Sequence, residues 1–271
     1  MSDSPSPPNN DAPAITVEQA IANLRQTEDS GARYYAAWWL GRFRVREDGA
    51  IDALIEALRD EIDRTPDGGY PLRRNAATAL GKLENTRCVP ALIECLSCED
   101  YYVRESAAQA LEALGDKRAI EPLVKLLDGG IEAAVLVPGK PHLVQPYEAI
   151  IEALGTLGAT EAIGLIEPFL EHSVEKVRYA GARALYQLTG RAEYAEILVN
   201  ALRGKELQLR RSALMDLGAT GYLPAAGSIA GTFAENSIKL VSLKELLETH
   251  LRAFPDSQQG REVLDLMDSL L

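Results

Sequence analysis

The chain of 271 residues carries 28 Lys and Arg against 40 Asp and Glu, a formal net charge of −12. That balance excludes a broad cationic surface of the kind that neutralises nucleic-acid phosphates, and it disfavours a helix lying on anionic lipid. Ten Tyr, four Phe and two Trp are few beside the abundant Ala and Leu, so packed helices are expected rather than a β-sandwich. No long apolar run and no signal-type leader are found, and Cys88, Cys95 and Cys98 make no disulfide framework. A cytoplasmic protein with reduced thiols is expected.

In chain order, residues 1–14, opening on MSDSPSPP, read as a disordered tail. From residue 15 to about residue 250 one pattern recurs: an aliphatic residue, Arg, two variable positions, then Ala-Ala-x-Ala-Leu-x-x-Leu. Its clearest copies run from Leu72-Arg73 to Leu83 and from Val103-Arg104 to Leu114, and weaker copies place Arg33, Tyr147, Arg178, Arg210 and Lys239 at the Arg position. Each copy follows another amphipathic helix, such as 50–60, 89–96, 119–127, 162–170 and 194–202. About seven helical hairpins, none able to bury its apolar face alone, must stack into an all-α solenoid of the HEAT type with a concave groove. The recurrent Arg is expected to bridge acidic or carbonyl groups between layers.

Two extra segments, Ile62–Tyr70 and Gly129–Pro146, interrupt the unit at the same place, between its first and second helix. They are expected to project from one edge of the stack. Residues 251–271 read as a linker followed by a C-terminal capping helix.

Aligning the copies predicts which side chains line the groove: Tyr34, Trp38 and Gly41; Arg74, Thr78 and Gly81; Glu105, Gln109 and Glu112; Glu148, Glu152 and Gly155; Tyr179, Arg183 and Tyr186; then Arg211 and Met215. Tyr34 and Trp38 share a helix face, and Arg33, Arg42, Arg73 and Arg74 stand near them in sequence. An open aromatic there closes the end of a core, binds a partner protein, or walls a pocket whose guanidinium groups pair with a planar, anionic ligand.

Familiar catalytic patterns are absent. His142, His172 and His250 form no His-Glu pair of a HEAT-type di-iron enzyme, Gly139-Lys140 is no phosphate-binding loop, and Cys95-Leu-Ser-Cys98 with Cys88 supplies too few ligands for structural zinc. No metal site is expected. His142, in the second insertion, reads as an ordinary surface histidine or as a proton carrier on a loop.

The stretches RYYAAWWLGRFR (33–44), DGGYPLRRNAATALGKL (67–83), CEDYYVRESAAQALEALGD (98–116) and VPGKPHLVQPYEAIIEALG (137–155) resemble the E-type (alpha) subunits of cyanobacterial E/F-type phycocyanobilin lyases. The resemblance implies a heterodimer with an F-type HEAT subunit. It implies a reaction joining phycocyanobilin, a substrate rather than a resident cofactor, through a thioether to a cysteine of the phycocyanin α subunit. On that resemblance Tyr34, Trp38 and Tyr102 are expected to contact the bilin, with Arg33, Arg42, Arg73 and Arg74 pairing its propionates. Glu105, Glu148 and Glu152 are candidates to protonate or hydrogen-bond its nitrogens, assisted by His142. The competing classes are a HEAT scaffold that binds only protein partners, and a bilin chaperone or detaching enzyme.

Overall fold

Seven helical pairs follow one another in the computed structural model, which describes residues 15–257 and 259–271; the expected tail at 1–14 lies outside the described residues. The pairs are α1 (Val17–Arg25) with α2 (Ser30–Arg42), α3 (Asp48–Ala57) with α4 (Pro71–Leu80), and α5 (Val89–Cys95) with α6 (Tyr101–Leu114). Next come α7 (Ile120–Lys125) and the short α8 (Gly130–Ala133) with α9 (Tyr147–Leu157), then α10 (Ile163–Ile166) with α11 (Glu175–Thr189). The last are α12 (Ala192–Ala201) with α13 (Leu207–Thr220), and α14 (Ala226–Gly231) with α15 (Asn236–Ala253), after which α16 (Arg261–Asp268) packs on α14 and α15.

Local chemistry sets the helix ends. Thr16 and Gln19 form a capping box on α1, Asp100 accepts from the Tyr102 amide at the start of α6, and Pro71 opens α4, where an amide hydrogen is not needed. At the far end of α9, Gly158 turns the chain out with φ +76°, a left-handed value that other residues adopt at a cost.

The second helices stand side by side in the order α2, α4, α6, α9, α11, α13, α15 and form the inner layer. Their Ala-Leu motif is the core: Ala76, Ala77 and Leu80, Ala107, Ala108 and Leu111, and Ala180, Ala184 and Leu185 are all fully buried. Leu170 packs against both halves of this core, so the apolar seam is continuous along the stack.

The recurrent Arg folds back onto its own inter-helix turn. Arg33 Nε donates to Leu24 O (3.2 Å), Arg73 Nε to Asp60 O (2.6 Å), Arg104 Nη1 to Cys98 O (2.6 Å), Arg178 Nη1 to His172 O (2.7 Å) and Arg210 Nη1 to Gly204 O (2.7 Å). Carbonyls with no amide partner at the end of a first helix are thereby satisfied by the helix that follows. Tyr147, at the Arg position of the fourth pair, instead packs its ring on Phe169.

Both insertions fall where the repeat spacing places them and flank the start of α6. The Tyr70 amide donates to Asp100 Oδ2 (2.8 Å), and Arg104 Nη2 donates to Val144 O (2.8 Å) in the second insertion, which is closed by an antiparallel bridge between Leu136 and Leu143. Asp67 of the first insertion lies near Lys140 of the second.

Gly41, Gly81 and Gly155, expected on the open groove, are buried, as is Tyr179. A Cβ on Gly81 would sit 2.8 Å from Ala110 Cα, and one on Gly155 would sit 2.6 Å from Ala184 Cα. The inner helices touch at these points, and the missing side chain sets their separation. Replacing Gly81, the residue that caps α4, with Ala gains at most about 1 kcal/mol of helix propensity but forces backbone apart at a cost of about 1–3 kcal/mol. The expected result is a lower thermal midpoint by circular dichroism, and the same for Gly155→Ala; a raised midpoint in both would show that the layer tolerates wider spacing.

Candidate functional site

The first turn of α6 presents two adjacent tyrosines between the insertions. The Tyr101 and Tyr102 rings meet edge-on at 5.3 Å, and the second insertion lays the His142 ring on Tyr101 at 4.1 Å and 15°, within 5.9 Å of Tyr102. His142 Nδ1 lies 2.8 Å from Leu143 O, a partner that calls for a proton on Nδ1. From α4, the Arg74 guanidinium lies 5.1 Å from the centre of the exposed Tyr102 ring. Arg74 forms no ion pair among the described residues, so its charge is available.

One turn further along α6, half-buried Glu105 faces Glu148 of α9, with Arg74, Lys176 and His142 around them. Neither carboxyl has an ion-pair or hydrogen-bonding partner among the described residues. Burial raises both above the usual carboxylate range, and for Glu105 the charge of Glu148 adds to it. The result is an edge cluster of stacked rings, free cations and carboxyls that accept a proton readily.

Deeper along the inner layer, Arg183 of α11 gathers carboxylates from three neighbouring helices: Glu112 of α6, Glu152 of α9 at 3.4 Å and Asp216 of α13 at 3.8 Å. Thr156 Oγ1 also donates to Glu112 (2.8 Å). Burial pushes Glu152 well up, and pushes Asp216 up to about 7, because four carboxyls crowd one guanidinium once Glu245 of α15 is counted. Beyond Arg183 opens a cavity of about 920 Å³ whose wall includes Tyr186, Tyr222, His250 and Phe254.

The sequence-predicted residues therefore divide. Arg74, Tyr102, Glu105, Glu148 and His142 converge at the edge cluster. Arg33 does not: it is 5% exposed, with Nη2 2.7 Å from Asp60 and Nη1 2.8 Å from Asp63, because its repeat position points it at the turn between helices. Arg73 is held by Asp60 O, by Glu61 and over the Tyr70 ring at 3.9 Å for the same reason. Tyr34 is partly buried against the core. Arg42 closes the C-terminal end of α2, whereas Arg74 and Tyr102 lie in first turns, so helix length separates them across the layer. Trp38 is half exposed, as the sequence implies, but its ring partner is Tyr35 at 5.6 Å. Glu152 belongs to the Arg183 cluster rather than the open groove.

Tyr101, Lys176 and Asp216 are the residues that sequence reasoning passed over. The signal for Asp216 was present: it and Glu245 occupy the repeat position held by Ala79, Ala110, Ala153 and Ala184. A carboxyl in an Ala slot must be buried against neighbouring helices. Cys88 and Cys95 are buried thiols, pushed up to about 11 and about 12 by desolvation, and so poor nucleophiles.

Comparison with known proteins gives one consistent family. HEAT repeats match residues 62–135, and the PBS lyase HEAT-like repeat matches 32–60 and 177–204. The phycocyanobilin lyase subunit alpha of a Picosynechococcus species is 64% identical over 96% of this chain and 98% of its own length. That of a Synechocystis species is 65% identical over 96% and 97%. A solved structure, the complex of CpcE and CpcF of phycocyanin lyase from a Nostoc species, superimposes with a TM-score of 0.91 at 59% identity, covering all of both chains.

The raised carboxyls fix the sign of the pH dependence. Burial raises Glu105, Glu148, Glu152 and Glu245 above their ordinary values and Asp216 to about 7, so the stability these groups contribute is present at low pH and falls as pH rises from about 4 through the raised values, for Asp216 to about 7. Asp116, lowered to about 2 by Arg118, acts below that window and does not offset it. Thermal midpoints measured across this range should decline, and Asp216→Asn should reduce the decline by at least about 3 °C. A parallel decline in the variant would separate Asp216 from the effect.

Proposed function

This chain belongs to the family of phycocyanobilin lyase alpha subunits, and from that membership we propose that it holds phycocyanobilin at the edge cluster while, together with an F-type partner, it joins the pigment to phycocyanin in the cytoplasm. The observation that carries the placement is the Tyr101–His142 stack with Arg74 above Tyr102, beside two carboxyls that lack partners. A linear tetrapyrrole is apolar, conjugated and doubly acidic, with nitrogen-bound hydrogens along its inner edge. Stacked rings suit its faces, a free guanidinium suits a propionate, and Glu105 and Glu148 suit its N–H groups. The pigment is a substrate that leaves with its acceptor.

The bond formed is a thioether between a cysteine of the phycocyanin α subunit and the ethylidene carbon of ring A. The nucleophile belongs to the acceptor protein, so this chain needs to hold one reactant at a fixed distance and angle from the other. Orientation of that kind converts a slow, indiscriminate bimolecular addition into a directed one. His142, anchored through Nδ1 to its own loop, keeps Nε2 for the thiol proton or the pigment.

The test uses the purified heterodimer. Arg74→Gln and Tyr102→Ala should each weaken phycocyanobilin binding about tenfold, the effect of losing about 1.4 kcal/mol, with helicity and heterodimer formation intact. The dimethyl ester of the pigment should be insensitive to Arg74→Gln. Unchanged affinity in both variants would place the pigment elsewhere and favour the scaffold reading. The covalent product, formed from apo α subunit and detected by zinc fluorescence, should fall in parallel.

A further inference from the structure

The Glu152 and Asp216 carboxyls both reach the same nitrogen, Arg183 Nη1, at 3.4 and 3.8 Å, and the Asp216 side chain is only 6% exposed. Asp216 Oδ2 and Arg183 Nε are buried with no hydrogen-bonding partner. Around the pair stand Arg183 and Tyr179 from α11, Glu112 from α6 and Glu148 from α9, while Glu245 from α15 faces Arg183. One guanidinium cannot balance so many carboxylates; a proton kept between Glu152 and Asp216 removes a charge and lets two acidic groups share one guanidinium nitrogen.

This pair is connected to the edge cluster. Glu148 lies one turn before Glu152 on the same face of α9, and it faces Glu105 across the gap to α6. Asp216, Glu152, Glu148 and Glu105 thus form a file of carboxyls that begins in the core and ends beside Tyr101 and His142. The outer two have no fixed partner. The inner two are held by Arg183.

We propose that the Glu152–Asp216 pair is a proton store for the bilin site, refilling Glu148 and Glu105 so that the bound tetrapyrrole is held with an extra proton on nitrogen. This rests on the placement of the pigment argued above. The carboxylic acid gives its proton to a pyrrole nitrogen, and the conjugated system takes the positive charge. The pair refills that carboxylate, and the thiol's proton returns through the same file of carboxyls to the pair, so the store ends as it began. The sulfur electron pair then forms the C–S bond, and the ethylidene pair moves into the cationic system, neutralising it. The nitrogen-bound proton ends on the ring carbon next to the new bond, so nothing is oxidised or released. Asp216 is a positioning residue, acting through Glu152 and never touching the pigment.

The experiment is an absorption titration of the purified heterodimer loaded with phycocyanobilin and without acceptor protein, reading the red-shifted band of the protonated pigment across the neutral range. Asp216→Asn and Glu152→Gln should each lower the midpoint of that band by about one pH unit, with pigment affinity at acidic pH unchanged, and Asp216→Glu should restore it. An unmoved midpoint in both amide variants, with pigment bound, overturns the store and leaves the bilin site standing. Absence of any bound pigment in the unsubstituted heterodimer overturns the site and the store with it. Should Asp216→Asn fail to fold by circular dichroism, Glu152→Gln reads the same pair from its other side.

Discussion

The contact on which the stack depends is the guanidinium that each second helix returns to the turn before it. A HEAT pair ends its first helix with unpaired carbonyls and must reverse direction within a few residues. Arg33, Arg73, Arg104, Arg178 and Arg210 supply charged donors at that point. Where the site is dry, as at Arg33 with Asp60 and Asp63, deleting one partner strands a buried charge at a cost of about 3–5 kcal/mol. Because the ladder fixes each turn, it also fixes where an inserted loop leaves and re-enters.

That constraint places the candidate site. Both insertions leave between paired helices on the same edge, and Arg104, a rung of the ladder, reaches out to Val144 in the second of them. His142 is therefore delivered to Tyr101 by the same device that closes the repeat. Arg74, directly after the structural Arg73, is turned one position round the helix, away from the carbonyls and over Tyr102. Adjacent arginines thus serve opposite ends: one is consumed by the fold and the other remains free.

The inner layer carries the complementary feature. Small residues bring its helices close, so any carboxyl placed there is forced against another. Glu152 and Asp216 share this fate around Arg183, while Glu105 and Glu148, nearer the edge, have no ion-pair partner among the described residues. A chain with a formal charge of −12 can hold an acidic pigment only where cations are gathered locally and carboxyls carry protons. The edge cluster meets the first condition, and burial shifts its carboxyls toward the second.

Much of this was legible in the sequence. The Ala-Leu period, the Arg at a fixed offset and the two insertions at one phase determined the all-helical stack, its core and the edge from which the loops project, because each depends only on residues close together in the chain. Tyr102, Arg74, Glu105, Glu148 and His142 were recognisable as polar or aromatic departures from that period. What required tertiary structure was which of them meet. Arg33 and Arg74 are both arginines at the start of a second helix, yet a shift of one position, about 100° around the axis, buries the first in an ion pair and leaves the second open. Arg183 and Asp216 lie 33 positions apart, on separate helices, and their partnership is decided by the spacing between neighbouring helices, which no local pattern records.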